Sequence, residues 1–161
     1  MKVEFVAPFA EATASVSEIV MDAKPSRGQL SAKPELFTAL PVNILCGVNG
    51  DLEGLVMYSM SKDTALAIAS LSMGSPMRGF DQTVASAISE LGNMITGSSS
   101  SIFAGQGLIC NITPPTLVRG NSIRISTFNT PTLVIPLIFD GVGQIEVNVS
   151  LRDTKIALAA A

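Results

Sequence analysis

Residues 42–60 read VNILCGVNGDLEGLVMYSM, and residues 133–151 read LVIPLIFDGVGQIEVNVSL. Each is a pair of apolar runs reversing at a glycine-containing turn, the pattern of a β-hairpin that buries one face. In the first, Asn49 and Gly50 predict a two-residue type I′ turn, whose central positions both require positive φ. In the second, Gly141 and Gly143 mark the reversal. At an offset of 91 residues, Ile44, Gly50, Val56 and Ser59 match Ile135, Gly141, Val147 and Ser150. With the shared hairpin design, these matches predict a duplicated architecture in which each half of the chain is a helix followed by a hairpin.

Outward from the hairpins, helical and strand periods alternate. Phe5, Phe9, Ala12, Val16, Ile19 and Val20 recur at helical spacing and predict a helix over residues 4–22, ended by Lys24, Pro25 and Gly28. Residues 29–37 carry a weak strand signal that Pro34 interrupts. After the first hairpin, Ser61 caps a second helix with Asp63 in its first turn; Ala65, Leu66, Ile68, Ala69 and Leu71 line it, and Gly74 and Pro76 stop it. Asp81 caps a long third helix. Its residues Val84, Ile88, Leu91 and Ile95 fall within roughly 40° of one another at 100° per residue. It runs through the serines at 98–101 towards Phe103 and ends at Gly105 or Gly107. Strands follow at 108–118, 122–128, 131–139 and 143–151, with Gly120 and Asn121 marking a turn, and the tail 156–161 carries no signal. The order predicts an α+β fold, one domain over residues 1–161, with an antiparallel β-sheet covered by helices.

Composition narrows the function. Apolar residues make up 47% of the 161, charged residues 14%, and mean hydropathy is +0.46. The strongest apolar run, residues 132–139, is short and broken by Pro136, against roughly 20 residues for a membrane span. The high apolar content is expected to reside in buried strands or in surface covered within a homodimer. Glu4, Pro8 and Glu11 break any export-signal core, and Cys46 and Cys110 read as buried thiols, which together predict a cytoplasmic protein. A net charge of −3 and no Lys/Arg cluster argue against nucleic acid as a partner. With no histidine, Ser-His-Asp and Cys-His nucleophile pairs are excluded, and no CxxC, Walker or GxGxxG motif is present. Any catalysis must use carboxylates, amides or hydroxyls.

One stretch of the third helix fits that description. Ser86, Glu90 and Asn93 project about 180–240° from the core stripe, as does Gly97, so they share one ridge. A polar ridge is what any solvated helix face needs. This one, however, has no Lys or Arg, and it places Asn and Gly where both weaken a helix. A carboxamide has both a donor and an acceptor and can orient a water molecule without exchanging a proton.

The spacing Ser86-x3-Glu90-x2-Asn93, followed by Pro115, resembles the signature of the CheC/CheX/FliY family of phosphatases. That signature is Asp or Ser, three residues, Glu, two residues, Asn and then a Pro about 22 residues on; here Pro115 comes one residue early. The stretches MKVEFVAPFAEA, GDLEGLVMYSMSKDTALAIAS, ISELGNMITG and PTLVIPLIF are also similar to family members at matching places, so the resemblance spans residues 2–151. It implies a pseudo-twofold fold with one long exposed phosphatase helix, and it implies hydrolysis of the phosphoaspartate of a phosphorylated CheY-type receiver domain. By the same resemblance Asn93 holds a water in line with the phosphorus and Glu90 pairs with the receiver's lysine, while Ser86 and Pro115 are associated with the motif in lesser roles. The resemblance also implies a homodimer that binds no cofactor, the Mg²⁺ belonging to the receiver. Some members carry the Glu/Asn pair on both symmetry-related helices. Here the matching place in the first helix is Glu11-Ala-Thr-Ala14, without the Asn, which implies a single site. A non-catalytic receiver-binding module, like the related middle domains of flagellar switch proteins, is the alternative.

Overall fold

The protein, here as a computed structural model, is described over residues 2–127 and 130–155. A 3-10 turn, Val3–Phe5, leads into α1 (Ala7–Met21). Then come β1 (Ser26–Arg27), β2 (Ser31–Lys33), β3 (Leu36–Thr38), β4 (Val42–Gly50), β5 (Leu52–Met60), α2 (Lys62–Met73) and α3 (Gln82–Gly105). The chain closes with β6 (Cys110–Ile112), β7 (Thr116–Arg119), β8 (Arg124–Ser126), β9 (Thr132–Phe139) and β10 (Gly143–Asp153). Both expected caps form: Ser61 Oγ accepts from the Thr64 N–H at 3.1 Å, and Asp81 Oδ1 accepts from the Val84 N–H at 3.0 Å. The serine run is helical, and Ser99, Ser100 and Ser101 each satisfy their hydroxyl by donating to the carbonyl four residues back, at 2.8, 3.0 and 3.1 Å.

The main sheet has 8 strands, all antiparallel, in the order β1–β9–β10–β5–β4–β6, with β2 also on β9 and β7 also on β4; β3 and β8 form a separate pair. The two hairpins meet at the centre, where β5 lies against β10. Met57 and Asn148 are 91 residues apart, the offset of the repeat, and they face each other in the β5–β10 register. The pseudo-twofold axis therefore passes between them. The flanking strands exchange across it: β1 and β2 of the first half pair with β9, and β6 and β7 of the second pair with β4. One face of the sheet is covered by the helices, over a core that includes Phe9, Phe103, Ile88, Tyr58 and Val147. The other carries a smaller cluster of Phe37, Ala39 and Met57 under the β3–β8 pair.

Several expectations are corrected. The Asn49-Gly50 turn is not type I′: Val48 pairs with Gly54, so the first hairpin loop is two residues longer than the second, where Phe139 pairs with Gly143. Gly50 has φ +120° and pairs with Cys110 of β6 instead, and the Asp51 carboxylate accepts from the Ile109 N–H at 2.9 Å, drawing the loop away from a tight reversal. The longer loop shifts the equivalence of the first strands by two residues, so Ile135 corresponds to Cys46 rather than to Ile44. The expected strand 108–118 is two strands separated by Pro114 and Pro115, and residue 128 of the expected strand 122–128 lies outside the described residues. The first helix begins at Ala7 because Pro8 suits only its first turn. Ile19 and Leu71, expected in the core, are exposed, because no element among the described residues covers those helix ends.

Candidate active site

α3 is built to present one face. Val84, Ile88, Leu91, Ile95 and Phe103 are buried, while Ser86, Glu90, Asn93 and Gly97 are exposed along the opposite side. The ridge expected from spacing therefore exists as a surface. Asn93 Nδ2 lies 3.5 Å from Glu90 Oε2, a long hydrogen bond that leaves both side chains free to turn to a partner. Glu90 is the sole charged residue in the 24 of α3. Nothing lies within 4 Å of where a Cβ at Gly97 would project, so the ridge is low and open there.

Pro115 does not join the ridge. It stands half-buried in the link between β6 and β7. The contact is made at Gly92, which sequence reasoning did not single out. A Cβ at Gly92 would fall 2.7 Å from Ile44 Cγ2 and 3.2 Å from Pro115 Cβ. Gly92 thus lets α3 settle on β4 and on Pro115 one residue before Asn93, fixing how far the ridge stands from the sheet. A glycine inside a long helix, flanking its core stripe, is the signal that marks it.

The thiols offer no competing chemistry. Burial pushes the Cys46 thiol above its ordinary pKa, with the Thr96 hydroxyl at 3.4 Å only partly offsetting it, so it stays protonated. Burial likewise raises Cys110, which is half-buried. The carboxylate and the carboxamide of α3 remain the exposed polar pair.

α1 repeats the design without the chemistry. Phe9, Ala12, Thr13 and Val16 are buried as Ile88, Leu91, Gly92 and Ile95 are in α3. In this alignment exposed Glu11 takes the place of Glu90, and Ala14 takes that of Asn93. The two helices pack on each other, with the Phe9 and Phe103 rings edge-on at 5.1 Å between centroids.

Comparison with known proteins places the fold in a family. Residues 42–137, more than half of the chain, match the family model described as chemotaxis phosphatase CheX. The chain is 34% identical over 118 residues to the CheY-P phosphatase CheX of Thermotoga maritima, covering 71% of this chain and 76% of that one. Among solved structures it resembles CheX in the CheX–CheY–BeF3–Mg complex from Borrelia burgdorferi, with a TM-score of 0.78, 26% identity and coverage of 94% and 99%. A CheC-like superfamily protein from Shewanella sp. PV-4 shares the fold with a TM-score of 0.83 at 21% identity, covering 94% and 99%. The chain belongs to the chemotaxis phosphatase CheX family.

Proposed function

We propose that this protein is a phosphatase that hydrolyses the phosphoaspartate of a CheY-type response regulator, with Glu90 and Asn93 as its catalytic pair. The observation that carries this reading is the exposed pairing of a lone carboxylate with a carboxamide on α3, in a chain that belongs to the CheX family. Asn93 holds a water in line with the phosphorus. The water oxygen bonds to phosphorus as the bond to the aspartyl oxygen breaks, releasing inorganic phosphate and a free carboxylate. Glu90 pairs with the receiver's cation and so sets the approach of the helix. Catalysis is by orientation, because the acyl phosphate is already reactive. Mg²⁺ is held by the receiver, beside the phosphoaspartate.

The site of action is the cytoplasm, where the thiols of Cys46 and Cys110 stay reduced. No described helix is long and apolar enough to cross a membrane. The chain acts as a homodimer; β6 and β7 pair with β4 alone among the described residues and offer an edge for a second copy. Light scattering at micromolar concentration should give twice the monomer mass, and a monomer sinks this part of the reading.

Substoichiometric protein should speed phosphate loss from a phosphorylated CheY-type receiver. Asn93→Ala should lower the rate by roughly 100-fold or more, the scale of a lost positioning group, with the melting curve unchanged. Full activity in Asn93→Ala refutes the mechanism. No acceleration by the wild type leaves the non-catalytic binding module as the function.

A further inference from the structure

A groove about 660 Å³ in volume opens beside the candidate site, where α1, α2 and α3 meet. Its walls are largely apolar: Ile19 and Val20 from α1, Met73 from α2, Leu91 and Met94 from α3. Ile19 is 75% exposed and Met73 52% exposed, so the groove presents large apolar side chains to solvent. The groove is continuous with the ridge, since Ser86 and Glu90 line both. Glu90 is the sole charged residue lining it, and neither α1 nor α3 contains a Lys or Arg.

We propose that this groove is the docking site that selects the receiver. It takes an apolar side chain that the receiver presents next to a cationic residue, and the cation reaches Glu90 as the apolar group seats against Ile19 and Met73. Charge decides between occupants. A second copy of this chain docked through the same face adds a second Glu90 and no cation from either groove to offset the pair. A cation-bearing partner gains what the second copy loses. Seating in the groove also sets where Asn93 arrives, since Glu90 stands three residues away on the same ridge. The inference rests on the proposed phosphatase function and gives its site a specificity element.

The test uses full-length Ile19→Asn and Met73→Asn, both at exposed positions outside the catalytic pair, with a CheY-type receiver from the same organism. Each variant should raise KM for the phosphorylated receiver about tenfold, the effect of removing one apolar anchor, with kcat within about twofold of wild type. Titration calorimetry with the receiver loaded with beryllofluoride and Mg²⁺ should show Kd raised by the same factor. This binding readout remains informative even if the wild type proves not to hydrolyse anything, so the two proposals fail separately. Unchanged KM and Kd in both variants overturn the inference. A fall in kcat at constant KM overturns it too, because the residues then support the chemistry rather than docking. Conversion of a wild-type dimer to monomers by either variant, with KM unchanged, assigns the groove to a second copy of the chain.

Discussion

Glu90 and Asn93 share a ridge, but substitution removes different things from each. On the proposed mechanism Asn93 contributes geometry in the transition state, so its loss should fall on kcat. On the same mechanism Glu90 contributes a charge that acts as soon as the partner docks, so its loss should fall first on KM. Glu90→Gln keeps the size of the side chain and deletes the charge. It should raise KM for the phosphorylated receiver about tenfold and flatten the dependence of KM on ionic strength, both read from steady-state kinetics over a salt series. An unchanged salt dependence would mean that Glu90 does not meet a cation. The exposure of both residues was legible in the sequence, since a helix of known phase fixes which side chains point away from the core. Gly92 was not, because its importance depends on Ile44 and Pro115, which approach it from elsewhere in the chain.

At the scale of elements, α3 is held by what it lacks at Gly92. A Cβ there would overlap the buried, β-branched side chain of Ile44, which has little freedom to yield. Gly92→Ala should therefore destabilise the protein by about 1–3 kcal/mol in denaturant unfolding, despite the better helix propensity of alanine. A stabilised variant would show that α3 can lift off the sheet at no cost. Helix positions, caps and the serine run followed from local rules, because each depends on residues within one turn. The first hairpin turn did not, since β6 and the Asp51–Ile109 contact compete for residues that would otherwise close it.

Across the whole molecule, the exchange of strands between halves is fastened by a polar chain on the sheet face opposite the helices. Lys33 Nζ donates to Glu146 Oε2 at 2.6 Å and to Asn148 Oδ1 at 3.0 Å. Asn148 Nδ2 donates to Ser59 Oγ at 3.3 Å, Ser59 Oγ to Asn43 Oδ1 at 2.7 Å, and Asn43 Nδ2 to the Leu40 carbonyl at 2.6 Å. The Lys33 ammonium also lies 5.0 Å from the centroid of the Phe37 ring. Asn148 is buried on the pseudo-twofold axis and joins the strands of one half to those of the other. Asn148→Leu has a similar volume but strands these partners, and it should cost about 1–3 kcal/mol in equilibrium unfolding. A neutral effect would mean that water or rearranged side chains satisfy them.

The sequence alone determined the α+β class, the helix phases, the two hairpins and the ridge of Ser86, Glu90 and Asn93, because these depend on periodicity and on caps and turns a few residues long. The tertiary structure decided what depends on residues far apart in the chain. It set the strand exchange and the two-residue shift between hairpins, and it put Gly92 against Ile44 and Pro115. It also left Ile19 and Met73 uncovered beside the site, because whether an apolar helix end is buried depends on which element packs over it.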